Sequence, residues 1–166
     1  VAYNHGNTVN VILDNRITGM TGHQENPGTG YTLQGDPANM IDIPQLVKSI
    51  GIKHVVSINP LKLDEVDKAL EEAFAFDGPS VIITRWPCVL KNFTEADIKE
   101  FDLYKKKQCV VVEETCRGCR VCTKTGCPAI SFDNTTKKAK IDKYMCVGCE
   151  VCLQACPFKA IERVGE

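Results

Sequence analysis

Apolar residues between Val9 and Trp86 fall into two alternating rhythms. Three runs of strand length, Val9–Leu13, His54–Ile58 and Val81–Thr84, are rich in β-branched residues. Between them lie stretches with helical spacing. "IDIPQLVKSIG" repeats its apolar positions one turn apart and stops at Gly51. "LKLDEVDKALEEAFAFDG" predicts an amphipathic helix with Leu63, Val66, Leu70 and Phe74 in one stripe, Asp64 and Glu65 in its first turns and Gly78 closing it. Strand, helix, strand, helix, strand predicts an α/β domain built on a parallel sheet with flanking helices. The stretch Val9–Gly30, "VNVILDNRITGMTGHQENPGTG", departs from both rhythms. Its apolar run ends at Asp14-Asn15-Arg16, and Gly and Thr then crowd a segment with neither period. Short polar side chains just past a buried strand are where an α/β sheet usually holds a ligand. Taken alone, Asp14 reads as a local cap and Arg16 as a solvated charge.

Past Trp86 the core pattern weakens. "TEADIKEFDLYKKK" predicts a short helix leading into a linker. Charge shifts at the same place: residues 1–104 carry 8 basic against 14 acidic side chains, residues 105–166 carry 12 against 7. Two domains are therefore expected, 1–104 and 105–166. Over the whole chain the charges nearly cancel, to a formal −1, which disfavours nucleic acid or an anionic membrane as a partner. No apolar run approaches the roughly 18 residues of a membrane helix. The first residues, "VAYNHGNTVN", have no initiator Met and no basic or apolar leader pattern, and read as the interior of a longer chain.

Ten cysteines change the picture, because eight of them lie between Cys116 and Cys156. The first set is Cys116-x2-Cys119-x2-Cys122-x4-Cys127-Pro128, the second Cys146-x2-Cys149-x2-Cys152-x3-Cys156-Pro157. Three cysteines at three-residue steps wrap one iron–sulfur cube, and the fourth, followed by Pro, ligates the other cluster. The expected ligands are thus Cys116, Cys119, Cys122 and Cys156 for one [4Fe–4S] cluster and Cys146, Cys149, Cys152 and Cys127 for the other. The extra residue before Cys127 lengthens its loop. Structural zinc pairs two CxxC units rather than extending to a third step, and disulfides give no reason for the duplication. Gly118 and Gly148 are expected to let the backbone approach the cluster. "AISFDNTTKKAKID" between the sets reads as a hairpin around Asp133-Asn134, giving a small α+β domain. Cys88 and Cys109 lie outside the motifs and read as buried free thiols.

The tail resembles the bacterial two-[4Fe–4S] ferredoxins over its length. "ILDNRITGMTGHQ" is similar to the second half of the thiamine diphosphate motif, and "MTGHQENPGTG" resembles the corresponding region of the 2-oxoacid:ferredoxin oxidoreductases. With the ferredoxin tail on the same chain, the TGHQ form is most similar to the large, catalytic subunits of the indolepyruvate-type enzymes in that family. The resemblance implies thiamine diphosphate and Mg²⁺ in the intact protein, with the Asn15 side-chain oxygen and the Ile17 carbonyl as Mg²⁺ ligands. It makes Thr18, Thr21, Gly22 and Gln24 neighbours of the diphosphate or substrate, and His23 a candidate to polarise the substrate. It also implies oxidative decarboxylation of an aryl 2-oxoacid such as indolepyruvate to its acyl-coenzyme A, with electrons passing through two clusters to external ferredoxin. A smaller beta subunit is the expected partner and the cytoplasm the expected location. The upstream Gly-Asp-Gly or Gly-Asp-Ser half of the motif is not in this sequence. Gly35-Asp36 reads as a turn, so a C-terminal fragment that binds thiamine diphosphate weakly on its own is expected. Pyruvate or another 2-oxoacid, or pure electron carriage, are the alternatives.

Overall fold

The computed structural model describes residues 1–101, 103 and 107–165. They form two compact units, Val1–Asp97 and Ile98–Glu166. The boundary expected between Tyr104 and Lys105 lies outside the described residues. Among the described residues no helix is long and apolar enough to cross a membrane.

The first unit is a three-stranded parallel sheet in the order β1 (Val9–Asp14), β3 (Ser80–Arg85), β2 (His54–Ile58). Register runs from Val9↔Ser80 to Asp14↔Arg85 on one side of β3 and from His54↔Ser80 to Ile58↔Thr84 on the other. The central strand is covered on both faces, which is why "SVIIT" reads as an unbroken apolar run rather than an alternation. Successive side chains point to opposite faces. Val81 and Ile83 pack with Val47 and Ile52 on the side of α1 (Ile43–Ser49), and Ile82 packs with Ala69 and Ala73 of α2 (Leu63–Ala75).

Local chemistry sets the helix ends. The Asp42 side chain accepts a hydrogen bond from Gln45 N–H at 2.8 Å, and Pro44 occupies the first turn of α1. Gly51, at φ +95°, follows the last turn of α1. The expected face of α2 needs correction. Phe74 is 74% exposed, and the buried stripe is centred on Ala69 and Ala73 with Val66 and Leu70 beside them. Both stripes satisfy the helical period. The small side chains let the helix lie close to the sheet, where Ile82 fills the space that a larger residue would need. The short helix α3 (Glu95–Phe101) begins with a reciprocal cap: Asp97 N–H donates to Thr94 Oγ1 at 3.2 Å and Thr94 N–H to Asp97 Oδ2 at 3.1 Å.

The second unit is a duplicated half-motif. Strand β4 (Cys109–Val111) pairs antiparallel with β7 (Ile161–Arg163), and β5 (Ile130–Asp133) with β6 (Lys138–Ile141). The β5–β6 turn sits where it was expected. Asp133 Oδ1 accepts from Thr135 N–H at 2.7 Å and Thr136 N–H at 3.3 Å, and Lys137 takes φ +57°. A 3₁₀ turn at Cys122–Thr125 and helix α4 (Val151–Ala155) follow the two three-cysteine loops. The core of this unit is unusual in being largely sulfur: Cys109, Cys116, Cys122 and Cys152 are buried with Ala139, Ala160 and Ile161.

Candidate cofactor and cluster sites

Strands β1 and β3 end side by side, and the chain turns sharply after each. Arg16 N–H donates to Asp14 Oδ1 at 3.1 Å and Ile17 N–H to Asn15 Oδ1 at 3.2 Å, two overlapping Asx turns that end the strand. Arg85, the last residue of β3, pairs its Nε with Asp14 Oδ2 at 3.3 Å. The backbones are tied too: Trp86 N–H donates to the Asp14 carbonyl and Cys88 N–H to the Asn15 carbonyl, at 3.1 and 2.9 Å. Beside these ends lies a cavity of about 110 Å³ whose lining includes Asp14, Arg16, Met40, Asp42, Ser57 and Arg85. It is a polar pocket at the carboxyl edge of a parallel sheet.

The residues expected near a diphosphate form one closed turn. Thr18 and Gln24 pair backbone to backbone at 3.0 and 3.1 Å. Inside the turn, Thr21 Oγ1 contacts Gln24 Oε1 at 2.5 Å, while Gly22 at φ +112° and His23 at φ +63° bend the chain back. Asn15, Thr18, Thr21, Gly22, His23 and Gln24 are all exposed in this chain, whereas Ile17 is buried. Among the described residues no donor reaches the Ile17 carbonyl, and Asn15 Oδ1 accepts only the Ile17 N–H. Both oxygens therefore keep acceptor capacity for a hard cation, the donor chemistry that Mg²⁺ takes.

Arg16 is not a solvated charge. It is 5% exposed; Nη1 donates to the Gly28 carbonyl, Nη2 to the Thr29 carbonyl at 3.4 Å, and Nε lies 3.7 Å from Asp97 Oδ1. Asp97 is itself buried, with Lys91 Nζ 2.6 Å from Oδ2 and Thr94 Oγ1 2.9 Å away. Desolvation pushes the Asp97 carboxyl up, but the Lys91 and Thr94 hydrogen bonds outweigh it and hold its pKa below the usual value. This Lys91–Asp97–Arg16 cluster fastens residues 28–29 to the end of β1. Asn26 adds a second tie, donating to Thr18 Oγ1 at 3.1 Å. Sequence reasoning missed Asn26, Thr29, Lys91 and Asp97. The only signal available was the capping pattern Thr94-x-x-Asp97, which does not reveal burial.

In the second unit the expected cysteine groupings meet in space. Cys116, Cys119, Cys122 and Cys156 line one small cavity, together with Gly118 and Ala139. Cys127, Cys146, Cys149 and Cys152 line another, of about 160 Å³, with Ala129, Ile130 and Ile141. Among the described residues no group of His, Cys, Asp or Glu converges as a single-ion site; the cysteines surround cavities instead. Sulfur donors around apolar-walled cavities suit an iron–sulfur cluster. Burial and the neighbouring Cys156, Cys116 and Cys119 thiols push the Cys122 thiol up. Burial, with Cys109 next, pushes Cys152 to about 12. N–H groups also reach sulfurs that line the cavities: Ala160 N–H lies 3.3 Å from Cys156 Sγ and Cys109 N–H 3.4 Å from Cys146 Sγ.

Two expectations change here. Gly118 has a reason the sequence did not give: at φ +66°, a Cβ would lie 2.3 Å from the Lys137 carbonyl oxygen, so the close approach is to the β5–β6 turn. Cys109 is a buried free thiol as expected, a member of the core of this unit that also lines the second cysteine cavity. Cys88, expected to be buried, is only half-buried, just past the end of β3.

An open, polar strand edge joined to a sulfur-lined unit defines a cofactor-binding protein with redox centres on the same chain. Residues 1–84 match the family model of the thiamine pyrophosphate enzymes' C-terminal TPP-binding domain, and residues 139–162 match a 4Fe–4S binding domain. The chain belongs to the thiamine pyrophosphate enzymes. Across nearly its whole length it is similar to indolepyruvate oxidoreductase subunit IorA: 38% identical in Pyrococcus horikoshii and 40% in Pyrococcus abyssi, each over 99% of this chain and 25% of the relative. The subunit from Archaeoglobus fulgidus is 39% identical over 96% of this chain and 25% of its own. The chain thus spans about a quarter of the length of the curated relatives it matches. No solved structure matches it.

Proposed function

We propose that this chain belongs to the catalytic subunit of a thiamine diphosphate-dependent 2-oxoacid:ferredoxin oxidoreductase acting on aryl pyruvates, indolepyruvate first among them. The reaction converts the 2-oxoacid and coenzyme A into acyl-coenzyme A and CO₂, releasing one proton and passing two electrons to two molecules of ferredoxin. The observation that carries this reading is the pairing, on one chain, of a thiamine pyrophosphate domain with two cysteine-lined cavities. When bound, thiamine diphosphate supplies the electron sink for decarboxylation and the clusters accept the electrons singly.

In this reading Asn15 Oδ1 and the Ile17 carbonyl face Mg²⁺, and the turn containing Thr18, Thr21, Gly22 and Gln24 lies against the diphosphate or the substrate. His23, at the exposed tip of that turn, is the candidate for orienting the keto group. The Asp14–Arg85 pair fixes the strand edge, and the Arg16–Asp97–Lys91 cluster anchors the segment that follows. Cys116, Cys119, Cys122 and Cys156 hold one cluster; Cys146, Cys149, Cys152 and Cys127 hold the other. The relatives are named as subunits, which supports a second, smaller subunit in the working enzyme. Thiolates committed to iron–sulfur clusters call for a reducing compartment, which favours the cytoplasm.

The test is coenzyme A-dependent ferredoxin reduction by the full-length protein with its partner subunit, under anaerobic conditions. Indolepyruvate, phenylpyruvate, pyruvate and 2-oxoglutarate are assayed side by side. Preference for the two aryl substrates supports the assignment, and preference for pyruvate or 2-oxoglutarate moves it within the family. Activity on none, with clusters intact by EPR, leaves an electron carrier.

A further inference from the structure

The two cysteine loops repeat from Cys116 to Cys146, and Gly118 and Gly148 share φ +66° and +67°. What the repeat does not keep is charge. Arg117, Arg120 and Lys124 of the first loop stand where the second has Val147, Glu150 and Gln154. Arg117, Arg120 and Phe158 line the first cavity and are exposed, as is Lys159, the next residue in the chain. The Arg120 guanidinium lies 4.0 Å from the centroid of the Phe132 ring and donates to Asn134 Oδ1 at 3.2 Å. Among the described residues no carboxylate pairs with Arg117, Arg120, Lys124 or Lys159. At the second cavity the charge is compensated: Glu150 accepts from Arg163 Nε at 2.7 Å and Nη2 at 2.8 Å. Met145 and Val147, which flank Cys146, are exposed apolar side chains. The cysteines differ likewise. Of the ten, only Cys119 is exposed, and its counterpart Cys149 is half-buried. Glu113 and Glu114 precede the first loop but do not line its cavity, and Glu113 has Lys140 for a neighbour.

We propose that the first cysteine cavity is the electron exit: a small acidic electron-carrier protein docks on the exposed rim formed by Arg117, Arg120, Lys124 and Lys159, over Cys119. The inference rests on the function and ligand sets proposed above. Cations without carboxylate partners on a solvent-exposed rim attract an acidic protein from a distance and speed its arrival more than they tighten the complex. That suits a carrier which must leave after each electron. Phe158 on the same rim adds the apolar contact that charges alone do not supply. Exposed Cys119 is the sulfur that a carrier can approach most closely. One electron passes there from the reduced cluster to the oxidised carrier, with no bond made and no proton moved. The second cavity, with an apolar rim and its one loop charge already paired, offers an acidic carrier no such attraction.

The test is equilibrium binding of an oxidised, acidic two-[4Fe–4S] ferredoxin to the full-length protein with its partner subunit, under anaerobic conditions at low and high salt, with iron content measured on each variant. The double change Arg117→Glu with Lys159→Glu raises Kd about tenfold at low salt, and the difference shrinks as salt rises. Arg117→Gln with Lys159→Gln raises Kd less and carries the comparison if the Glu pair loses iron. The matched control is Lys107→Glu with Lys143→Glu, an equal change of charge beside the second loop, where the Gln108 side chain reaches the Lys143 carbonyl; it leaves Kd within about twofold. Equal weakening by the control would mean that only net charge matters and would overturn the location. An unchanged Kd in both rim variants, or no binding by the parent at low salt, would overturn the proposal outright. Loss of the partner subunit from the rim variants with carrier binding intact would assign the rim to that subunit and overturn it too. Binding is read without turnover, so a protein that binds the carrier through this rim yet oxidises no 2-oxoacid would defeat the proposed reaction and uphold the surface.

Discussion

Replacing Asp97 with Asn isolates the one negative charge on which two buried cations depend. Arg16, Lys91 and Asp97 are 5%, 6% and 1% exposed, with Lys91 Nζ at 2.6 Å and Arg16 Nε at 3.7 Å from the carboxylate. The Asn side chain can still cap α3 through Thr94 and accept from Lys91, so the change removes charge and leaves shape. Stranding a buried charge costs about 3–5 kcal/mol, and two cations lose their counter-ion here. The expected loss therefore lies in that range rather than near the roughly 1 kcal/mol of an exposed pair. Urea unfolding followed by Trp86 fluorescence, the single Trp in the sequence, measures it. The pH dependence supplies a second check. The Asp97 pKa is lowered in the folded state, so its contribution is fully present above the unfolded carboxylate value of about 4 and is lost as pH falls through the depressed folded value. The gap between parent and variant should thus stay constant from neutral pH down to about 4 and narrow below it. Arg16 also fastens the Gly28–Thr29 segment to the strand end, so thiamine diphosphate affinity in the full-length protein should fall with stability. A stability loss under about 1 kcal/mol would refute the argument that this cluster is desolvated and mutually dependent.

Other substitutions address the second unit. Gly118→Ala forces a left-handed alanine against the Lys137 carbonyl and should cost about 1–3 kcal/mol; a thermal melt equal to that of the parent would contradict the contact. Cys149→Ser should lower iron content by four atoms per chain and leave the cluster proposed at Cys116, Cys119, Cys122 and Cys156 detectable by EPR; loss of all iron would mean the two sites do not load independently. Residues 105–166 carry a formal +5, and two oxidised clusters with four thiolates each bring this to roughly +1. Under the proposed function, an acidic ferredoxin approaching this net-positive stretch is steered electrostatically, so the rate of its reduction should fall as salt rises. A flat salt profile would show that the basic residues only offset cluster charge.

Wherever the determining distances are short in sequence, the chain announced its structure. The β-branched run Val81–Thr84 identified a strand, and its lack of alternation fits the cover on both faces that its central place in the sheet gives it. Step-three cysteines identified cluster loops because the steps fix which sulfurs turn inward together, and Asp133-Asn134 identified a turn through its own side-chain hydrogen bonds. Tertiary structure decided what depends on partners remote along the chain. Leu63-Val66-Leu70-Phe74 and Val66-Ala69-Leu70-Ala73 are equally periodic, and the sheet selected the second because small side chains let α2 approach Ile82. Arg16 in isolation is an ordinary surface charge; Asp97, from the far end of the same unit, makes it a buried anchor. Cys109 belongs to no motif, and only the pairing of β4 with β7 carries it into the second cysteine cavity. Local hydrogen bonding and side-chain period are written in the order of residues, whereas burial and charge pairing are properties of what the folded chain brings alongside.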